Sequence, residues 1–196
     1  MVILGIDPGT ARMGWGVIKT QSEKRKAQSF ENTEENVEKN ILVEYGCFVT
    51  PAGELMEKRL LKLFKELREV TKKFKPDVVG VERLFFNTNV KTAISVGQAR
   101  GVVMLATAEA NVPLVEYTAL QAKLALTGYG RAEKQDIQKE VKKILKCKVD
   151  KIKPDDAADA LAIALCHILK KNGTDKKSAK KVKPSKKSLK KAKTRK

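Results

Sequence analysis

Residues Val2 to Lys19 read VILGIDPGTARMGWGVIK. Two apolar runs, Val2 to Ile6 and Gly14 to Lys19, flank the glycine-rich turn DPGTARMG, the pattern of two short strands joined through a turn. Asp7 ends the first run and is followed by Pro8-Gly9, so its carboxylate is expected at a sheet edge beside a backbone turn. Further on, Ile41 to Thr50 (ILVEYGCFVT) reads as a third strand, closed by Pro51-Ala52-Gly53. The intervening Gln21 to Asn40 is polar and highly charged with no hydrophobic period, which suggests a loop or a long hairpin tip.

An amphipathic helix follows. Leu55, Met56, Leu60, Leu63, Phe64, Leu67, Val70 and Phe74 recur at three- and four-residue steps until Pro76 stops them. Asp77 to Val81 (DVVGV) then reads as a buried strand finishing at Glu82. Val90 to Asn111 is rich in Ala, Gly and Val and suggests a helix buried on more than one side. Pro113 to Tyr117 is a further short strand. Three helices come last: one from Thr118 to the Gly128-Tyr129-Gly130 turn, one over Ala132 to Leu145, and one over Asp156 to Leu169. Three strands followed by alternation predict an α/β mixed sheet flanked by helices.

The charge is unevenly placed. The chain carries 41 basic and 23 acidic residues, yet Lys170 to Lys196 alone holds 14 basic residues and one acid. Residues 1–169 therefore read as one folded domain, and 170–196 as a lysine-rich tail with too little apolar surface to order by itself. Such a tail attracts nucleic acid through counterion release, or serves only as a solubilising extension. Cys47, Cys147 and Cys166 form no CxxC pair, which argues for reduced thiols rather than a disulfide framework or zinc site. The N-terminal apolar run stops at Asp7 without a basic n-region, and no segment approaches the ~20 apolar residues of a membrane span. A cytoplasmic protein with no membrane association is expected.

Four acids stand out. Asp7 and Glu82 end apolar strands, and strand ends of α/β sheets are where sites tend to form. Asp156 and Asp159, at i and i+3, share one face of a first helical turn in the otherwise apolar DDAADALAIAL. Each has an ordinary explanation by itself: a turn residue, a solvated strand end, a complement to a helix N-terminus. Together they place charges where only paired or metal-bound carboxylates are tolerated. A carboxylate cluster without Cys or His partners suits Mg²⁺ or Mn²⁺, and two such ions ~4 Å apart perform phosphoryl chemistry.

The strings GIDPGTxxxGWG, VERLFFNTN, VGQARG and DDAADALAIAL occur in this order between Val2 and about Leu169. In combination they resemble the RuvC-type Holliday junction resolvases. The resemblance implies an RNase H-like fold, with a five-stranded sheet ordered 3-2-1-4-5 and strand 2 antiparallel. It also implies that Asp7, Glu82, Asp156 and Asp159 are the metal-binding and catalytic carboxylates, holding two Mg²⁺ with Mn²⁺ able to substitute. Asp155 is read as the helix N-cap. Lys123 and Lys134 match two lysines placed near the scissile phosphate, with Lys123 assigned to catalysis. Phe85 matches the aromatic that inserts at the junction crossover, while packing beneath its loop is the alternative; Phe86 is read as packing. Asn89 and Arg131 are further candidates for DNA contact. His167 reads as a packing or surface histidine, and Cys166 as a core residue.

The resemblance further implies a homodimer whose two sites nick opposing strands symmetrically, leaving 5′-phosphate and 3′-hydroxyl ends, and which works with the RuvA–RuvB branch-migration complex. The small-residue helix around Val96 to Val103 is a candidate dimer contact, although core packing explains it equally well. The alternatives are a YqgF-like nuclease of ribosomal RNA precursors and a catalytically idle junction-binding protein. An actin- or hexokinase-like ATP-binding protein opens with a similar turn, but its second domain and second phosphate loop have no counterpart in 196 residues.

Overall fold

The computed structural model describes residues 1–26, 34–83, 90–149, 151–171 and 173, with the side chains of 22–26, 34–38 and 90–92 left out of the description. Five strands, β1 (Val2–Asp7), β2 (Arg12–Lys26), β3 (Glu34–Val49), β4 (Val78–Glu82) and β5 (Leu114–Tyr117), form one sheet in the order β3-β2-β1-β4-β5. β2 pairs antiparallel with β1 and β3, whereas β4 is parallel to β1 and β5. The helices are α1 (Met56–Phe74), α2 (Val90–Glu109), α3 (Ala119–Thr127), α4 (Lys134–Leu145) and α5 (Asp155–Lys171). The mixed sheet, its order and the antiparallel second strand are those expected from the sequence.

Two apolar cores lie on opposite faces of the sheet. Leu4, Ile6, Val79 and Val81 pack with Leu63 and Leu67 of α1 and with Ala99 and Val103 of α2. Ile3, Ile18 and Val78 pack with residues of α3, α4 and α5, among them Leu161, Leu165 and Ile168. Complete burial of such side chains stabilises by about 1.5–3 kcal/mol each. Strand periodicity then fixes what stands on the α5 face: Ile3, Gly5 and Asp7 of β1, and Val78, Gly80 and Glu82 of β4. Both acids of the strands are therefore aimed toward α5.

Glycine lets α5 approach. A β-carbon on Gly5 would lie 2.0 Å from the carbonyl oxygen of Ala160, and one on Gly16 would lie 2.5 Å from Leu161 Cδ2. The small-residue surface of α5, with Ala157, Ala160 and Ala164 fully buried, sits directly on the backbone of β1 and β2.

Several local features differ from the sequence reading. The described parts of 21–40 are strand, with Gln21 opposite Lys39 and Lys26 opposite Glu34 in register. The backbone ladder simply continues outward from the core, through a stretch whose sequence has no apolar alternation. Hydrophobic periodicity does not report such strands. α2 is buried on one side only: Ala99, Val103 and Ala106 face the core, while Ile94 is 73% and Leu105 60% exposed. α5 begins at Asp155, placing that residue inside the first turn rather than at the cap, and continues to Lys171. Residues 174–196 of the basic tail lie outside the described residues. Among the described residues, no helix is long and apolar enough to cross a membrane.

Candidate active site

The last paired positions of β1 and β4 are Ile6 and Val81, so Asp7 and Glu82 follow side by side at the carboxyl ends of adjacent strands. The first turn of α5 brings Asp156 and Asp159 over them. Burial pushes the Asp7 carboxyl up to about 7, with the negative charges of Glu82, Asp159 and Asp156 acting in the same direction. Glu82 is also raised, by burial first and then by Asp159, while Lys123 pulls it down. Asp7 and Glu82 thus carry a desolvation cost that a cation placed among the acids would relieve.

The two α5 acids already have cationic partners. Arg12 Nε donates to Asp156 Oδ2 at 2.7 Å, and Cys47 Sγ lies 4.0 Å from the same oxygen. Burial and the charge of Asp156 push the Cys47 thiol up. Lys134 Nζ donates to Asp159 Oδ2 at 2.9 Å and lies 3.8 Å from Asp155 Oδ2. Partial burial disfavours the Lys134 ammonium, but the hydrogen bond and charge of Asp159, with Asp155 and Asp156, outweigh it and raise its pKa. Among the described residues, no three carboxylates converge on one point as ligands of a single ion. The four are brought into one electrostatic cluster, with Asp156 and Asp159 directed to Arg12 and Lys134.

A cleft of about 230 Å³ opens onto this cluster, lined by Glu82, Lys123, Lys134, Asp159 and the apolar side chains of Ala162 and Ile163. Lys123 is carried by α3, whose start is fixed by a capping box in which Thr118 and Gln121 satisfy each other's backbone N–H groups. Lys134 is the first residue of α4, and the Glu133/Asp136 pair caps that helix in the same way. Arg131 is exposed in the turn before α4, outside the lining of this cleft. Phe85, Phe86 and Asn89 lie outside the described residues. A larger cleft of about 670 Å³ lies at the other end of the sheet, between the C-terminal ends of α1 and α2, away from the acids.

The sequence reading missed Arg12 and Gln138. Arg12 is the one cation in the DPGTARMG turn, and its signal was its place beside a predicted acidic cluster. Gln138 is buried on α4 and donates from Nε2 to Asp155 Oδ1 at 3.1 Å, anchoring the start of α5; nothing in its local sequence marks it. Of the packing and surface readings of His167 the structure shows the packing one, with Nδ1 2.8 Å from the Tyr117 hydroxyl, and Cys166 is buried as expected.

Comparison with known proteins agrees with this geometry. The sequence profile of the family described as crossover junction endodeoxyribonuclease RuvC matches residues 3–167. A protein of that name from Desulfitobacterium hafniense is 52% identical over 167 residues, covering 85% of this chain and 92% of its own length. Its namesake from Rubrobacter xylanophilus is 48% identical, covering 85% and 84% respectively. Thermus thermophilus RuvC superposes with a TM-score of 0.76 at 33% identity, over 89% of this chain and 98% of its own. The same protein in complex with a Holliday junction substrate gives 0.75 at 34% identity, over 89% and 97%. With sequence and fold in agreement over nearly the whole described body, this chain belongs to the crossover junction endodeoxyribonuclease RuvC family.

Proposed function

We propose that this chain is a divalent-metal-dependent endonuclease that resolves four-way DNA junctions by paired symmetric nicks. The observation that carries the reading is the placement of half-buried Asp7 and Glu82 at adjacent strand ends, beneath the Asp156/Asp159 pair and beside two lysines. The donor set is all carboxylate, which fits Mg²⁺ or Mn²⁺ rather than a soft ion. Asp7, Glu82, Asp156 and Asp159 would hold the metal. Divalent ions held by these carboxylates, two per site, would supply activation of a water and stabilisation of the leaving oxygen in phosphodiester hydrolysis, which would give 5′-phosphate and 3′-hydroxyl ends.

The protein's own cations complete the site. Lys123 and Lys134 stand at the cleft edge, where an ammonium holds a scissile phosphate and stabilises charge that builds up during in-line attack. Lys134 also fixes Asp159. Phe85 and Asn89, in the segment directly after β4, and Arg131, on the turn before α4, are assigned to DNA contact beyond the cleft. The tail from Lys170 onward adds sequence-independent attraction for DNA.

Symmetric nicking of a twofold junction calls for a twofold dimer. The exposed side of α2 is the surface that fits it. Ile94, Met104 and Leu105 are apolar and exposed there, and a β-carbon added to Gly97 or Gly101 would meet nothing within 4 Å. Helix-interior glycine costs about 1 kcal/mol relative to Ala, and no contact among the described residues explains the two. Close approach of α2 from a second copy does. Cooperation with a RuvA–RuvB complex in the bacterial cytoplasm, at the nucleoid, follows from the same reading.

The test is cleavage of a labelled four-way junction, a duplex of the same sequence and a single-stranded RNA, each with and without Mg²⁺. Metal-dependent paired nicks in the junction alone support the reading. Cleavage of the RNA instead transfers the chain to precursor processing, and metal-independent cleavage rejects the carboxylate assignment.

A further inference from the structure

The net charge of the folded body is concentrated in one stretch. Over residues 1–169 basic residues exceed acids by five, and residues 142–153, KKILKCKVDKIK, contain six lysines and one acid. The rest of the body is neutral in sum. In the structure this stretch is the end of α4 and the connection into α5.

The connection is anchored. Ile152 is fully buried in the α5-side core, and the buried Gln138 side chain donates both to Ile152 O at 3.4 Å and to Asp155 Oδ1 at 3.1 Å. On either side of that anchor Lys151 and Lys153 are exposed, as are Lys146 and Lys148. Lys151 Nζ lies 3.0 Å from Asp155 Oδ1, and the other oxygen of that carboxylate lies 3.8 Å from Lys134 Nζ. The lysine-bearing connection therefore extends the cationic edge of the catalytic cleft outward from Lys134. Among the described residues, Lys146, Lys148 and Lys153 have no ion-pair partner, whereas Lys143 is held by Glu140 and Lys151 by Asp155.

We infer that Lys146, Lys148 and Lys153 form a second phosphate-contact line, taking the sugar-phosphate backbone of the duplex arm that leads away from the scissile phosphate. The inference rests on the junction-nuclease reading for the position of that phosphate. Lysine ammonium groups act as point charges on phosphate oxygens and carry no base information, so the contact is independent of sequence. Cations on an anchored backbone lose less freedom on binding than those of a floppy segment. The line is separate in sequence from the lysine-rich tail.

The test compares two full-length double variants, Lys148→Gln/Lys153→Gln and the control Lys62→Gln/Lys65→Gln. The control pair is exposed on α1, across the sheet, and removes the same charge. Binding of a fluorescent four-way junction is measured in EDTA from 50 to 200 mM salt. The 148/153 variant is expected to bind about 5- to 30-fold more weakly, with the slope of log Kd against log salt lowered by about one to two; the control keeps the wild-type slope. A wild-type slope and Kd in the 148/153 variant overturn the inference, and so does an equal loss in both pairs, which assigns the effect to bulk charge. If the wild type binds duplex as well as junction while the 148/153 variant alone loses slope on both, the contact line stands and the junction reading falls.

Discussion

Gly14 pairs directly across from Asp7, and a β-carbon on it would fall 2.0 Å from the carbonyl oxygen of Asp156. This glycine is the place where the strand acid and the helix acid are allowed to meet. The helix backbone cannot retreat without withdrawing Asp156 and Asp159 from Asp7.

Gly14→Ala is accordingly expected to damage the site more than the fold. Forcing a methyl group under α5 costs about 1–3 kcal/mol as overpacking, and it lifts the first turn that carries both acids. Thermal unfolding should show a folded protein with a lowered Tm, while nicking falls by at least 100-fold. Wild-type nicking in a destabilised Gly14→Ala protein would show that the close contact does not position Asp156.

Arg12→Ala leaves Asp156 without its 2.7 Å partner. Groups that orient metal-binding side chains typically contribute 10- to 100-fold in metal affinity or activity. We expect a loss of that size in the Mn²⁺ affinity read by titration, with partial recovery in Arg12→Lys, which retains a cationic donor group. Unchanged affinity would reduce Arg12 to a surface ion pair.

The raised Asp7 pKa sets a pH dependence. In the metal-free fold Asp7 keeps its proton up to about pH 7, whereas the unfolded chain releases it near 3.8. The folded state binds the extra proton between these values, so stability is fullest below about pH 4 and is lost as pH rises through 7, by on the order of 4 kcal/mol. Glu82 acts in the same direction. Urea unfolding in EDTA should therefore show Asp7→Asn more stable than wild type at pH 8 and nearly equal to it at pH 4. Added Mg²⁺ should raise wild-type stability at pH 8 and leave Asp7→Asn little changed.

Assembly is expected to run through the exposed side of α2. Sedimentation equilibrium should return about twice 21.8 kDa for the wild type. Ile94→Glu/Leu105→Glu, which places charges on exposed apolar positions, should return the monomer mass with Tm within a few degrees of a monomeric reference. A dimer that persists in this variant places the interface elsewhere.

Much of this architecture was legible because each strand of the site repeats one pattern. In both VILGID and VVGVE the acid stands at the strand end and a glycine stands two residues before it, on the same face. A continuous apolar run marked the strand, the terminal acid marked the site, and the Asp pair on the otherwise apolar α5 marked what lies over it. The meaning of the glycines was not legible as a turn signal alone: Gly5, Gly14 and Gly16 are small because α5 lies on them. Arg100 of VGQARG likewise needs the fold to be understood, since it reaches across to Glu116 on β5 and ties α2 to the sheet. The ribbon beyond Thr20 was legible only as a loop or a long hairpin tip, because its ladder runs through residues with no apolar alternation to mark a strand. Arg12 and Gln138 escaped because their partners are 144 and 17 residues away, a proximity that only the fold creates.

Asp7, Glu82, Asp156 and Asp159 are read here as one metal-dependent cleavage centre acting on a bound junction. The most direct measurement is a single-turnover experiment in which wild type and Asp7→Asn are saturated with a four-way junction in EDTA and the reaction is started with Mg²⁺. Equal occupancy of both proteins on the junction is expected, with paired nicks on two opposing strands by the wild type and none by Asp7→Asn. Nicks of wild-type position and rate from Asp7→Asn would contradict a shared carboxylate centre.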